Sequence, residues 1–121
     1  MPIPTEIRLN RAEQVLHVTF DSGEHFALPA EYLRVESPSA EVQGHGPGQR
    51  VIVPGRRHVG IMRVEPVGNY AVRLVFDDLH DTGIYSWAYL HELGREQTQR
   101  WAAYETALAA QGLSRDPPRR G

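Results

Sequence analysis

The chain has no cysteine, no lysine and no apolar run near the ~20 residues that a membrane-spanning helix needs. Each absence removes a class of function. Without cysteine there are no disulfides, no thiolate nucleophile and no thiolate ligands for zinc or an iron–sulfur cluster. Without lysine there is no Schiff-base chemistry and no P-loop lysine; all 13 basic residues are arginine. The first residues, MPIPTEIRLN, lack the basic and apolar blocks of a signal peptide. A bacterial-type cytoplasmic protein, off the membrane, is therefore expected. Positive charge is also scarce: 15 acidic residues leave a net charge of -2, which offers nucleic acid no attractive field.

What is present suits one domain with a modest core, 121 residues long and 40% hydrophobic. In VLHVTFDSGEHFAL, Leu16, Val18 and Phe20 alternate with His17 and Thr19, and Asp21-Ser22-Gly23 turns the chain back toward Phe26 and Leu28. Pro29 fits a first helical position ahead of AEYLRV. A second hairpin runs through VGIMRVEPVGNYAVRLVF. Placing Val64 opposite Val72 and Met62 opposite Leu74 predicts a three-residue loop, Val67-Gly68-Asn69. TGIYS follows as a short strand, with Ser86 as N-cap of WAYLHEL and Gly94 as its stop. A last helix, about Glu96 to Gln111, carries Trp101, Tyr104 and Leu108 on one stripe, with Gly112 as C-cap. The expected fold is α+β: a small, mostly antiparallel β-sheet from two hairpins, short helices packed on one side, and a C-terminal helix. Residues 1–112 form the single domain and SRDPPRRG, within 113–121, a frayed tail. VTFDSGEHFALPAEYLR and LVFDDLHDTGIYSWAYLHE also echo one another as strand, turn, strand, helix.

Several motifs invite chemistry and fail on inspection. Asp81-Thr82-Gly83 spells the aspartic-protease triplet but sits where a hairpin turn is expected. GHGPGQ, residues 44–49, lacks the lysine and hydroxyl of a phosphate loop, and Pro47 removes a backbone donor. His80 lies among carboxylates in DDLHD, and His45 lies in the glycine-rich loop. Two histidines with one carboxylate can hold iron(II) or a similar ion. Arg50, Arg56, Arg57 and Arg63 form a stretch without acids, read either as solvated loop ends or as a patch for an acidic partner.

LRVESPSAEVQGHGPGQ, then VGIMRVEPVGNYAVRLVFDDLHDTGIYSWAYLHELG, resemble the family named for the N-terminal domain of gamma-butyrobetaine hydroxylase, over roughly residues 5 to 95. The resemblance implies a zinc-holding domain in carnitine-pathway hydroxylases, a stand-alone bacterial protein of unknown function, or a domain attached to P-loop iron–sulfur carriers. The hydroxylase iron sits in a separate jelly-roll domain that this chain has no room for, so that activity does not carry over. The resemblance also implies zinc ligands in a C-P-C-x-x-C run plus a turn histidine. Here Ser37, Ser39 and Val42 stand at the cysteine places, and His80 alone matches. A hydroxyl protonated at neutral pH replaces a thiolate poorly, and valine has no donor.

The expectation is therefore a non-enzymatic accessory or interaction domain that needs no cofactor. Its partner would be a protein, of the iron–sulfur carrier or oxygenase type that the resemblance implies. Trp101, Tyr104, Arg56 and Arg57 are the candidate contact residues. The alternative is a protein of iron or iron–sulfur metabolism that holds iron or another divalent metal with His45, His80 and Asp78 or Asp81.

Overall fold

The structure, a computed structural model, describes residues 2–44 and 50–117. Three strands open the chain: β1 (Pro4–Asn10), β2 (Val15–Phe20) and β3 (His25–Pro29), an antiparallel sheet in that order. Two short helices follow, α1 (Ala30–Val35) and α2 (Ala40–Gln43). A second antiparallel sheet comprises β4 (Ile61–Val67), β5 (Ala71–Phe76) and β6 (Gly83–Ser86). Helices α3 (Trp87–Arg95) and α4 (Gln97–Ala110) complete the fold. The α+β class stands. The first hairpin gains β1, the second is extended by β6, the expected TGIYS strand, and there are two small sheets where one was expected.

Both sheets turn their apolar faces into one core. Leu16, Val18, Phe20 and Leu28 come from the first sheet. Val72, Leu74, Phe76 and Tyr85 come from the second, and Tyr32, Leu33, Leu90 and Leu93 from α1 and α3. A smaller cluster joins Val35 and Val42 to Val53, Tyr104 and Leu108, which seats α4 on the connection between the halves. The sequence echo is thus structural: β1–β2–β3–α1 and β4–β5–β6–α3 are two strand-strand-strand-helix units sharing a core.

The second hairpin corrects its expected register. Val64 faces Leu74, and Val67 faces Ala71, leaving Gly68-Asn69-Tyr70 as the loop. The loop keeps three residues but slides by one. Gly68 supplies a left-handed turn (φ 54°), and a bulge between Ile61 and Arg63 lets Ile61, rather than Met62, enter the core. Gly94 is corrected too. It lies within α3, where a Cβ would sit 2.3 Å from Phe26 Cγ, so its role is close packing and the helix runs on to Arg95. Pro29 ends β3 and caps α1 from one position earlier than expected. Ser86 does cap α3 by accepting from Tyr89 N–H. Gly112 adopts φ 66° just past α4.

The start of the segment expected to fray is held as far as Asp116, which pairs with Arg57. Gly55 N–H donates to Ser114 O and Arg57 N–H to Arg115 O, both at 2.9 Å. Arg115 forms a bidentate pair with the buried Glu31 at 2.7 and 2.9 Å, and its guanidinium lies 5.0 Å from the Trp101 ring centre.

Candidate functional site

The β5–β6 turn presents the residues that carry chemistry. After Phe76 the chain crosses Asp77, Asp78 and Leu79 to His80. Phe76 N–H donates to His80 O at 3.0 Å, and His80 N–H donates to Asp78 Oδ1 at 3.2 Å. Closing so tight a loop puts Leu79 in the left-handed region (φ 73°), with its side chain 88% exposed, and drives the His80 ring inward.

His80 meets the segment between α1 and α2. Its Nε2 lies 2.8 Å from Ser37 Oγ and its Nδ1 3.1 Å from Glu41 Oε2. A carboxylate only accepts, so His80 donates Nδ1–H to Glu41; in the neutral ring, Nε2 then accepts the Ser37 hydroxyl. Burial pushes the His80 pKa below its ordinary value, and the Arg34 charge adds to this against the pull of Glu41. Ser39 N–H donates to Ser37 Oγ, while Ser39 Oγ accepts from Glu41 N–H and shares a 2.7 Å hydrogen bond with Thr82 Oγ1. Gln43 Nε2 donates to Ser37 O at 2.8 Å. Together these bonds bind the 37–43 segment to the β5–β6 turn.

Serine, histidine and glutamate stand here in the order of an acyl-transfer relay. Ser37, however, is fully buried, and a Cβ on Gly83 would fall 2.7 Å from its Oγ. The hydroxyl is packed against backbone and acts as a clasp. The family resemblance pairs Ser37 and Ser39 with His80, but Glu41 and Thr82 are partners that the sequence does not announce; the local signal is the Ser39-x-Glu41 pattern of a helix start.

Asp78 is engaged elsewhere. Its Oδ2 accepts from Arg34 Nε at 2.8 Å and lies 2.7 Å from Arg56 Nε. Burial raises its pKa, but the hydrogen bond and charge of Arg34, with smaller help from the His80 amide and Arg56, hold the carboxyl below its usual range. Asp81 is exposed, and His45 lies outside the described residues. The structure therefore does not gather His80, Asp78 and Asp81 around a common point. Among the described residues, no group of three histidines and carboxylates could hold a metal ion.

The positions that the family resemblance assigns to zinc do not fit zinc, as their residue types imply. Two of the four are hydroxyls already hydrogen-bonded, and Val42 belongs to an apolar cluster.

The contact candidates also find internal partners. Arg56 pairs with Asp78 and Arg57 with Asp116, while Arg50 pairs with Glu36 and Arg63 with Glu65. The basic stretch is neutralised within the molecule. Tyr104 is buried and donates to Val53 O at 2.5 Å. Trp101 is half-buried against the Tyr32 and Tyr104 rings. It lines a cavity of about 240 Å³ with Pro29, Glu31, Tyr32, Gln97 and Arg115.

The fold is a paired-sheet α+β domain. Residues 7–91 match the family model described as gamma-butyrobetaine hydroxylase-like, N-terminal, and the chain belongs to that family. A protein solved in solution by NMR is 48% identical, with a TM-score of 0.86 over 99% of this chain and 94% of that one. A second NMR structure is 46% identical, with a TM-score of 0.83 over 100% of this chain and 90% of the other. A crystal structure from Acidithiobacillus ferrooxidans ATCC 23270, titled a protein with unknown function of the DUF971 family, is 42% identical. Its TM-score is 0.64, over 75% of this chain and 91% of that one. No curated protein matches the chain. No helix among the described residues is long and apolar enough to cross a membrane.

Proposed function

We propose that this chain is a non-enzymatic accessory domain that works by binding another protein, through the β5–β6 turn. The observation that carries the reading is the turn itself. Its reactive-looking side chains bond to one another on the inner side, while Leu79 is held outward in a backbone conformation unfavourable for leucine. A strained, fully presented apolar side chain is easier to account for as a contact than as packing. Ile84, on β6, and Met62, in the β4 bulge, add exposed apolar surface to the same sheet. The partner class proposed is an iron–sulfur carrier or oxygenase-type protein, which rests on the family resemblance alone.

The test is site-specific photo-crosslinking from position 79 in native-host extract, beside an esterase assay of the purified protein. One cross-linked partner, lost when Ile84→Asp is added, supports the reading. Hydrolysis of an activated ester that disappears in Ser37→Ala overturns it.

A further inference from the structure

The outward face of the first sheet carries a second constellation, unrelated to the clasp. His17 on β2 and His25 on β3 are diagonal neighbours: His17 stands opposite Ala27, and His25 opposite Thr19. Their rings meet with His17 Nδ1 and His25 Nε2 3.1 Å apart, ring centres 5.2 Å apart and planes inclined at 31°. The other nitrogen of His25, Nδ1, lies 2.9 Å from Thr19 Oγ1.

We propose that His17 and His25 form an open two-histidine site for a borderline transition-metal ion of the zinc, nickel or copper(II) class. The argument is one of bite. An ion about 2.0–2.1 Å from both nitrogens, separated as they are, closes an N–metal–N angle of roughly 95–100°. That lies between square-planar and tetrahedral values, so either geometry is reached without moving the strands. Thr19 supplies the outer-shell bond that metal-binding histidines use. Accepting from His25 Nδ1–H, it leaves the Nε2 lone pair facing the site. His17 meets the ion by carrying its proton on Nε2, so a neutral pair loses no proton on binding. Imidazole nitrogens select these ions over magnesium or calcium.

The surroundings leave the open positions to water. Ala27, beside His17, has only a methyl group, too short to cover the ion, and His25 is exposed. On the neighbouring strand, Arg8 stands opposite His17 and Glu6 opposite Thr19, one charge of each sign.

The experiment is a zinc(II) titration of untagged full-length protein, followed by long-range ¹H–¹⁵N spectra of the histidine rings. The expected result is saturable one-to-one binding that moves His17 and His25, with His17 shifting to its Nε2–H tautomer. His17→Gln and His25→Gln should each weaken binding at least tenfold and leave the thermal midpoint nearly unchanged, since His25 is exposed and His17 only half-buried, both off the core face. Thr19→Val should weaken it several-fold, and His58→Gln should not alter it. No saturable shift up to millimolar zinc overturns the proposal. So does binding that survives the double glutamine variant, or shifts centred on His80. The first two of these outcomes leave the protein-binding reading untouched, since its residues lie on the other sheet, whereas shifts centred on His80 would place the metal at the β5–β6 turn itself.

Discussion

Leu79 combines a left-handed backbone with an almost fully exposed apolar side chain. Neither feature stabilises the fold, so replacing it by glycine should relieve strain. Leu79→Gly is expected to raise stability by about 0.5–1 kcal/mol, the left-handed penalty less glycine's added chain entropy. Urea unfolding at constant m-value measures it, and a loss of stability would mean that Leu79 packs in solution. His80, one position on, makes a prediction in pH. Its pKa is lower folded than unfolded, so the unfolded chain binds the proton more readily. The clasp's contribution is therefore complete above the ordinary histidine value near 6.5 and is lost as pH falls through the folded value. Urea midpoints from pH 7.5 to 5 should fall more steeply for wild type than for His80→Gln. Ser37→Ala, which strips the buried Nε2 of its donor, should cost about 1–3 kcal/mol at neutral pH.

At the level of elements, alternation and capping carried most of the information. Leu16, Val18 and Phe20 are buried as their period of two demands, and Ser86 and Gly112 bound their helices as expected. β1 was illegible because PTEIRLN alternates weakly; only Ile7 and Leu9 pack against the core. The second hairpin slid at its loop, which is Gly68-Asn69-Tyr70, and separately a bulge at Met62 flips the parity at the start of β4; no residue pattern announces a bulge there. Spacing alone could not reveal the clasp, because Ser37 and Glu41 lie 43 and 39 positions from His80; the family resemblance set Ser37 and Ser39 beside His80, and the roles of Glu41 and Thr82 were not legible. The 113–117 segment was read from its composition as frayed, yet Arg115 crosses to Glu31 on α1. Arg115→Ala leaves a buried carboxylate without its bidentate partner and should cost about 1–3 kcal/mol. Its effect should be suppressed when Glu31→Gln is combined with it, as a double-mutant cycle would reveal.

For the whole molecule, the two sheet-plus-helix units are joined by polar clasps where the family resemblance implies a metal. If the chain path has been kept while the ligands changed, restoring thiolates should restore the site. Ser37→Cys/Ser39→Cys/Val42→Cys, with His80 untouched, is expected to bind one zinc and to gain thermal stability on loading. Cobalt(II) substitution would report the thiolates by their charge-transfer absorption. No absorption would mean that the loop has moved away from ligand geometry.

The Glu31–Arg115 pair spans 84 positions of sequence, which bears on how the protein is made. A nascent chain that has emerged only through α3 can assemble both sheets, but it still holds an acidic side chain in the α1 surface without its counter-charge. Closing that loop comes late in synthesis, because the partner has not yet been translated. Until residue 115 emerges, Glu31 has no bidentate partner, so the last surface of the first unit to be sealed is the one that the end of the chain covers.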